Sequence, residues 1–181
     1  PFVESLTRYM EDQYGFDMEQ NGVLPTTGST SGMDLLLKAL VNPGDAVLVE
    51  SPTFLGNMQT INLYQARLVP IESDDGGVRL DSLEAAVRRE RPKLLYIIPS
   101  FQNPTGRTLA EDRRRPIADM AAQYGFVVAE DDPYRDLRYT GQHLPTIKSC
   151  DHTGHVAYMG SFSKIISPGL RVGYLVAQKD I

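Results

Sequence analysis

Cysteine is almost missing from this chain: Cys150 stands alone among 181 residues. An intrachain disulfide is excluded, and so is a zinc site built from cysteine pairs. Such a chain suits a reducing compartment, and the cytoplasm is the expected location. His152 and His155 follow Cys150, but no further signature of a thiol nucleophile accompanies them. Long apolar runs are also missing. None approaches the ~20 residues that a membrane-crossing helix needs, and no signal-peptide pattern is read. Positive charge is in deficit, with 18 Lys and Arg against 23 Asp and Glu for a net charge of -5. Nucleic acid and anionic membranes are therefore not expected partners. One short basic run, Arg113, Arg114 and Arg115, follows Glu111 and Asp112 and reads as a solvated helix face. His143, His152 and His155 have no metal-ligand spacing, so no metal is expected. There are no internal repeats and no low-complexity segments.

What is present is an alternation of apolar runs and helical patterns. Residues 46–49, 94–98, 126–129, 156–159 and 172–177 are short continuous apolar runs, with weaker candidates at 23–26 and 67–71. Continuous rather than alternating hydrophobicity suits strands covered on both faces. Between them, Met33, Leu36, Leu37 and Leu40 lie at helical spacing within 32–41, and Asn42-Pro43-Gly44 ends that helix. A second helix is predicted to start at an Asp81 or Ser82 cap and run to Arg91, ahead of Pro92. A third covers 109–124 and is closed by Gly125, and Leu6, Tyr9 and Met10 mark one face of an N-terminal helix. Ser73-Asp74-Asp75-Gly76-Gly77 reads as a turn. Strand–helix alternation predicts an α/β fold with a mostly parallel sheet. Ligands of such sheets sit outside the carboxyl ends of the strands.

Four clusters lie at those ends. Thr27-Gly28-Ser29-Thr30-Ser31-Gly32 opens a helix, where small residues and free amides suit an anion, although any capped helix looks similar. Ser100-Phe101-Gln102-Asn103-Pro104-Thr105-Gly106 follows the 94–98 run and by itself is a turn. Glu130-Asp131-Asp132-Pro133-Tyr134 supplies carboxylates that either cap a strand or await a cation. Gly160-Ser161-Phe162-Ser163-Lys164 and Ser167-Pro168-Gly169-Leu170-Arg171-Val172-Gly173 set a lysine between hydroxyls with an arginine seven positions on.

Together, in this order, the clusters resemble the class I and II aminotransferases of pyridoxal-phosphate fold type I. The match is strongest to the aminoadipate/kynurenine-type enzymes and the aminotransferase-like domains of MocR-type regulators. The Ser-Phe-Ser-Lys and Pro-Gly-Leu-Arg-Val-Gly segments carry the resemblance, with Asn103-Pro104-Thr105-Gly106 and the Asp131, Tyr134 pair.

The resemblance implies a three-layer large domain whose seven-stranded sheet has one antiparallel strand, expected at 172–177, and pyridoxal 5'-phosphate as cofactor. Lys164 would form the Schiff base with the cofactor and afterwards move a proton between the substrate Cα and the cofactor's C4′ carbon. A lysine suits both jobs because a desolvated amine gives up its proton readily. Asp131 would keep the pyridine nitrogen protonated, while Tyr134 and Asn103 would bond the 3′ oxygen. Arg171, Ser161, Ser163, Ser29 and Thr30 would hold the phosphate, and Phe54 would stack on the ring. The family pattern selects Asp131 over Asp132, which is left as a cap or supporting group.

Residues 1–181 are thus expected to be the cofactor-binding large domain, a piece lacking the N-terminal arm and the smaller C-terminal domain. The implied reaction moves an amino group from an amino acid to a 2-oxo acid such as 2-oxoglutarate, within a homodimer. A MocR-type regulator's effector domain is the alternative, and a β-lyase or decarboxylase a further one.

Overall fold

The computed structural model describes residues 1–181. In chain order it contains α1 (Phe2–Tyr14), β1 (Asn21–Thr26), α2 (Ser29–Leu40), β2 (Ala46–Glu50), α3 (Leu55–Leu63), β3 (Arg67–Ile71), β4 (Ser73–Asp74) and β5 (Gly77–Val78). Then follow α4 (Leu80–Glu90), β6 (Leu94–Ile97), α5 (Glu111–Tyr124), β7 (Val127–Asp131), β8 (Val156–Ser161) and β9 (Gly173–Gln178). Seven strands form one sheet in the order β1-β9-β8-β7-β6-β2-β3. Only β9 runs against its neighbours, pairing antiparallel with both β1 and β8. The sheet, its single reversed strand and the alternation expected from sequence are all present.

Side-chain alternation along each strand builds the layers. Leu48, Leu95, Ile97 and Val128 face one way and pack with Leu83, Val87, Ile117 and Ala121 of α4 and α5. Val47, Val49, Tyr96, Ala129 and Met159 face the other way and pack with Met33, Leu36, Leu37 and Ile61 of α2 and α3. Both faces of the central strands are therefore dry, which explains their unbroken apolar runs. Each fully buried Leu or Ile contributes roughly 1.5–3 kcal/mol. Tyr158, Tyr174 and Val176 meet Leu6 and Met10 of α1 in a third, aromatic cluster. No helix is long and apolar enough to cross a membrane.

Four local expectations are corrected. The helix expected from Asp81 or Ser82 begins at Leu80 after Arg79 and has no side-chain cap. Asp81 is instead bound by the Arg79 guanidinium, and Ser82 Oγ accepts from the Glu72 amide. The expected turn at 73–77 narrows to Asp75-Gly76, the tip of a two-stranded hairpin of β4 and β5. Helix α3 was not expected, because its apolar residues mark no face: Ile61 is buried, but Leu55 and Leu63 are exposed. The arginine run is not a solvated face. Arg114 is fully buried and donates to the carbonyls of Pro99, Leu109 and Pro145, while Arg113 binds both carboxylate oxygens of Asp74.

Candidate functional site

The parallel strands all end at one edge of the sheet, and the segments that follow β1, β2, β6, β7 and β8 meet there. They enclose a cavity of about 270 Å³ lined by Gly28, Ser29, Thr30, Phe54, Ile98, Asn103, Asp131, Pro133, Tyr134, Ser161, Ser163, Lys164 and Arg171. Every site residue expected from sequence lines this one cavity. Asp132, next to Asp131, does not. The pleat turns it to the opposite face, where it is no helix cap. Burial pushes its carboxyl up to about 6, against the pull of Ser100 and the guanidinium of Arg114.

Asp131 closes β7 and is 3 % exposed. Its Oδ2 accepts from the Tyr96 hydroxyl at 2.9 Å and from Asn57 Nδ2 at 3.2 Å. Its Oδ1 is buried and has no partner within the protein. Burial pushes this carboxyl up to about 6, and the side chains of Tyr96, Ser29 and Asn57 work in the other direction. A carboxylate braced on one oxygen and bare on the other is ready to take an N–H or a cation from whatever fills the cavity. Sequence reading missed both braces. Neither Tyr96, inside an apolar strand, nor Asn57, in the unexpected helix α3, carries a local signal.

The opposite end of the cavity favours anions. Helix α2 starts after Gly28 with no side-chain cap, so its first-turn amides are not claimed by a side chain. Arg171 lies at φ 49 and ψ 41, in the left-handed region that a non-glycine residue adopts only under local constraint. The backbone bond from Phe162 N to Val172 O closes the intervening loop and turns this arginine back. Its guanidinium then reaches Thr27 O at 2.9 Å and Ser163 Oγ at 3.4 Å. Gly28 makes room: a Cβ there would come within 2.6 Å of Arg171 Nη2. Ser161 Oγ accepts from the Ser163 amide, which orders the hydroxyls beside the arginine.

Two groups flank the middle. Asn103 Nδ2 donates to the Tyr134 hydroxyl at 3.3 Å, so the amide and the phenol point at a common place. Phe54 leads into α3, and its ring lies against Gly56, where a Cβ would sit 2.6 Å from the ring edge. Lys164 is exposed at the cavity rim, on the loop between β8 and β9. The whole arrangement suits a flat, anionic ligand: an anion at the α2 end, an aromatic face beside Phe54, a ring N–H towards Asp131 and an electrophile within reach of a primary amine. No group of His, Cys, Asp and Glu residues could hold a metal ion.

Comparison with known proteins points the same way. A family model described as "Aminotransferase class I and II" matches residues 1–181. The chain is 38% identical to aromatic-amino-acid aminotransferase 1 of Thermococcus litoralis, over 98% of its own length and 44% of that enzyme. It superimposes on the crystal structure of Pyrococcus horikoshii kynurenine aminotransferase, in complex with PMP, at a TM-score of 0.95 and 39% identity, covering 99% of this chain and 46% of that one. A transcription regulator is also a relative: the HTH-type protein YisV of Bacillus subtilis is 32% identical over 89% of this chain and 33% of its own length. The chain spans less than half the length of each of these proteins.

Proposed function

This chain belongs to the class I and II aminotransferases, and on that premise we propose that residues 1–181 form the pyridoxal 5'-phosphate-binding large domain of a transaminase. One observation carries the reading: a single cavity gathers an anion-binding helix start, an arginine, a half-braced carboxylate and a lysine. The residues fit the cofactor. The unpartnered Oδ1 of Asp131 matches a protonated ring nitrogen, and the hollow left at Gly28 lets Arg171 and the α2 amides converge on a phosphate.

When bound, the cofactor supplies an electron sink for the amino acid's Cα–H bond. The chain's own groups do the rest. Arg171 offers a guanidinium fork to the phosphate, and Ser29, Thr30, Ser161 and Ser163 add hydroxyl and amide donors. Phe54 would cover one ring face. Asp131, ionised, would face the ring nitrogen and keep it protonated, and that cation would offset the burial cost of the carboxylate. Asn103 and Tyr134 would bond the 3′ oxygen. Lys164 would hold the cofactor through its amine and, once freed, would serve as the base for the proton on the substrate Cα. Asp131 and Tyr134 are the groups that tune this transfer.

The proposed reaction takes the amino group of an aromatic or aminoadipate-like amino acid and passes it to a 2-oxo acid, with 2-oxoglutarate the favoured acceptor. Both halves use one site, so initial rates should give parallel rather than intersecting double-reciprocal lines. A homodimer is part of the proposal, supported by exposed Ile166 and Leu170 on the lysine loop. So is a cytoplasmic location, suited to the single free Cys150. The likeness to YisV favours a second reading, an effector domain that binds the same cofactor without turnover. Oxo-acid formation from an amino-acid donor separates the two.

The test is borohydride reduction of the natural full-length protein with pyridoxal phosphate, followed by peptide mapping. A reduced cofactor on the Lys164 peptide is expected. An unlabelled, folded, cofactor-saturated protein would overturn the assignment.

A further inference from the structure

The segments bearing Phe54 and Asn103 come from different strand ends, yet both must be held to within a few tenths of an ångström for a ring to fit between them. No covalent link joins them, and both are turn segments. One side chain bridges the gap. Gln102 is 4 % exposed and sits directly before Asn103. Its Nε2 donates to the carbonyl of Pro52 at 2.8 Å, two residues before Phe54. Its Oε1 accepts from the Thr105 amide at 2.9 Å and the Thr105 hydroxyl at 2.6 Å, closing the turn that carries Asn103. Its backbone amide donates to Arg107 O at 2.7 Å, pinning the far end of the same turn. The amide also lies beside buried Glu50, the last residue of β2, whose Oε2 accepts from the Ile98 amide at 2.9 Å across to the β6 segment.

We propose that Gln102 is a positioning residue that fixes the Phe54 segment against the Asn103 turn and so sets the fit of both to the cofactor ring. It touches no ring atom and acts through its neighbours. A glutamine meets the demand because one planar group offers a donor to one segment and an acceptor to the other. Asparagine is one methylene too short to span both, and glutamate has the length but lacks the donor for Pro52 O. The inference rests on the cofactor reading given above.

The experiment compares full-length wild type, Gln102→Ala and Gln102→Met. Two quantities are read: the dissociation constant for pyridoxal phosphate by equilibrium dialysis, and the pH midpoint of the bound cofactor's visible absorbance at saturating cofactor. That midpoint reports the donors on the 3′ oxygen, and a loss of fold stability alone does not move it. Gln102→Ala is expected to weaken binding about tenfold or more, the equivalent of one net hydrogen bond, and to displace the midpoint. Gln102→Met, uncharged and of similar length, fills the same space without setting a second carboxyl beside Glu50, so it should fold even where alanine fails. It should still displace the midpoint, because the Pro52 and Thr105 links are lost. An unchanged midpoint in both variants would overturn the proposal, whatever their melting temperatures. If wild type itself bound no cofactor, both this inference and the reading beneath it would fall.

Discussion

Replacing Asp131 with asparagine should stabilise the apoprotein while destroying cofactor binding. The carboxyl is buried, and its pKa is pushed up to about 6, from an ordinary value of about 3.9. A carboxyl raised in the folded state binds more protons there than in the unfolded chain across that window. Stability is therefore lost as pH rises from about 4 to about 6 and stays lost above it. A shift of this size is worth about 3 kcal/mol, or roughly 6–12 °C of melting temperature for a domain of this length. Asparagine carries no charge, and its oxygen can still accept from Tyr96 and Asn57. The apo Asp131→Asn protein should then melt higher than wild type at pH 8 and at nearly the same temperature near pH 4. Calorimetry of the two apoproteins across this range gives a difference curve. Glu50 and Glu130, both pushed up to about 7 mainly by burial, contribute to both proteins and largely cancel in it. Cofactor affinity should fall at the same time, since asparagine offers no charge to the ring nitrogen. A stability difference that is absent, or that does not change with pH, would refute the account of Asp131 as a carboxylate held at a cost for its ligand.

Gly28→Ala should weaken cofactor binding at least about tenfold without unfolding the domain, because the new Cβ would occupy the space of Arg171 Nη2 at a residue with φ 96; a wild-type dissociation constant would end this view of Gly28. Arg114→Met removes the donor to the carbonyls of Pro99, Leu109 and Pro145 and a cation that favours the charged forms of Glu130 and Asp132, so urea unfolding should show a loss of about 2–4 kcal/mol. A loss under ~1 kcal/mol would mean that this guanidinium does not hold the α5 layer together. Tyr96→Phe strips one of the two donors from Asp131 Oδ2 and should raise that carboxyl further, carrying the decline of apoprotein stability on to higher pH; an unaltered pH profile would count against the Tyr96 brace.

Strands β2, β6, β7 and β8 were legible as unbroken apolar runs, because a central parallel strand is buried on both faces and needs no polar alternation. The lysine loop was legible because a lysine between hydroxyls is unusual directly after such a run, whereas the Asn103 turn and the Asp131 carboxylates became legible only beside it, through the family resemblance that the motifs carry together. Helix α3 was not, since it buries Asn57 and leaves Leu55 and Leu63 outside, the reverse of the pattern that a sequence reader seeks. Arg114 was misread for the same reason. A charged side chain inside a layer is invisible until the carbonyls that receive it are in place.

By itself, then, the order of residues determined the α/β alternation and the four motif clusters at the strand ends, since each depends on local patterning; the reversed last strand and the roles of the cavity residues came through the resemblance that those motifs carry. Only the tertiary structure decided how those residues are held. Tyr96 and Asn57 reach Asp131 across 35 and 74 positions, and Gln102 reaches Pro52 across 50. Such bonds depend on which strands become neighbours, and parallel pairing brings together segments that the chain itself keeps far apart.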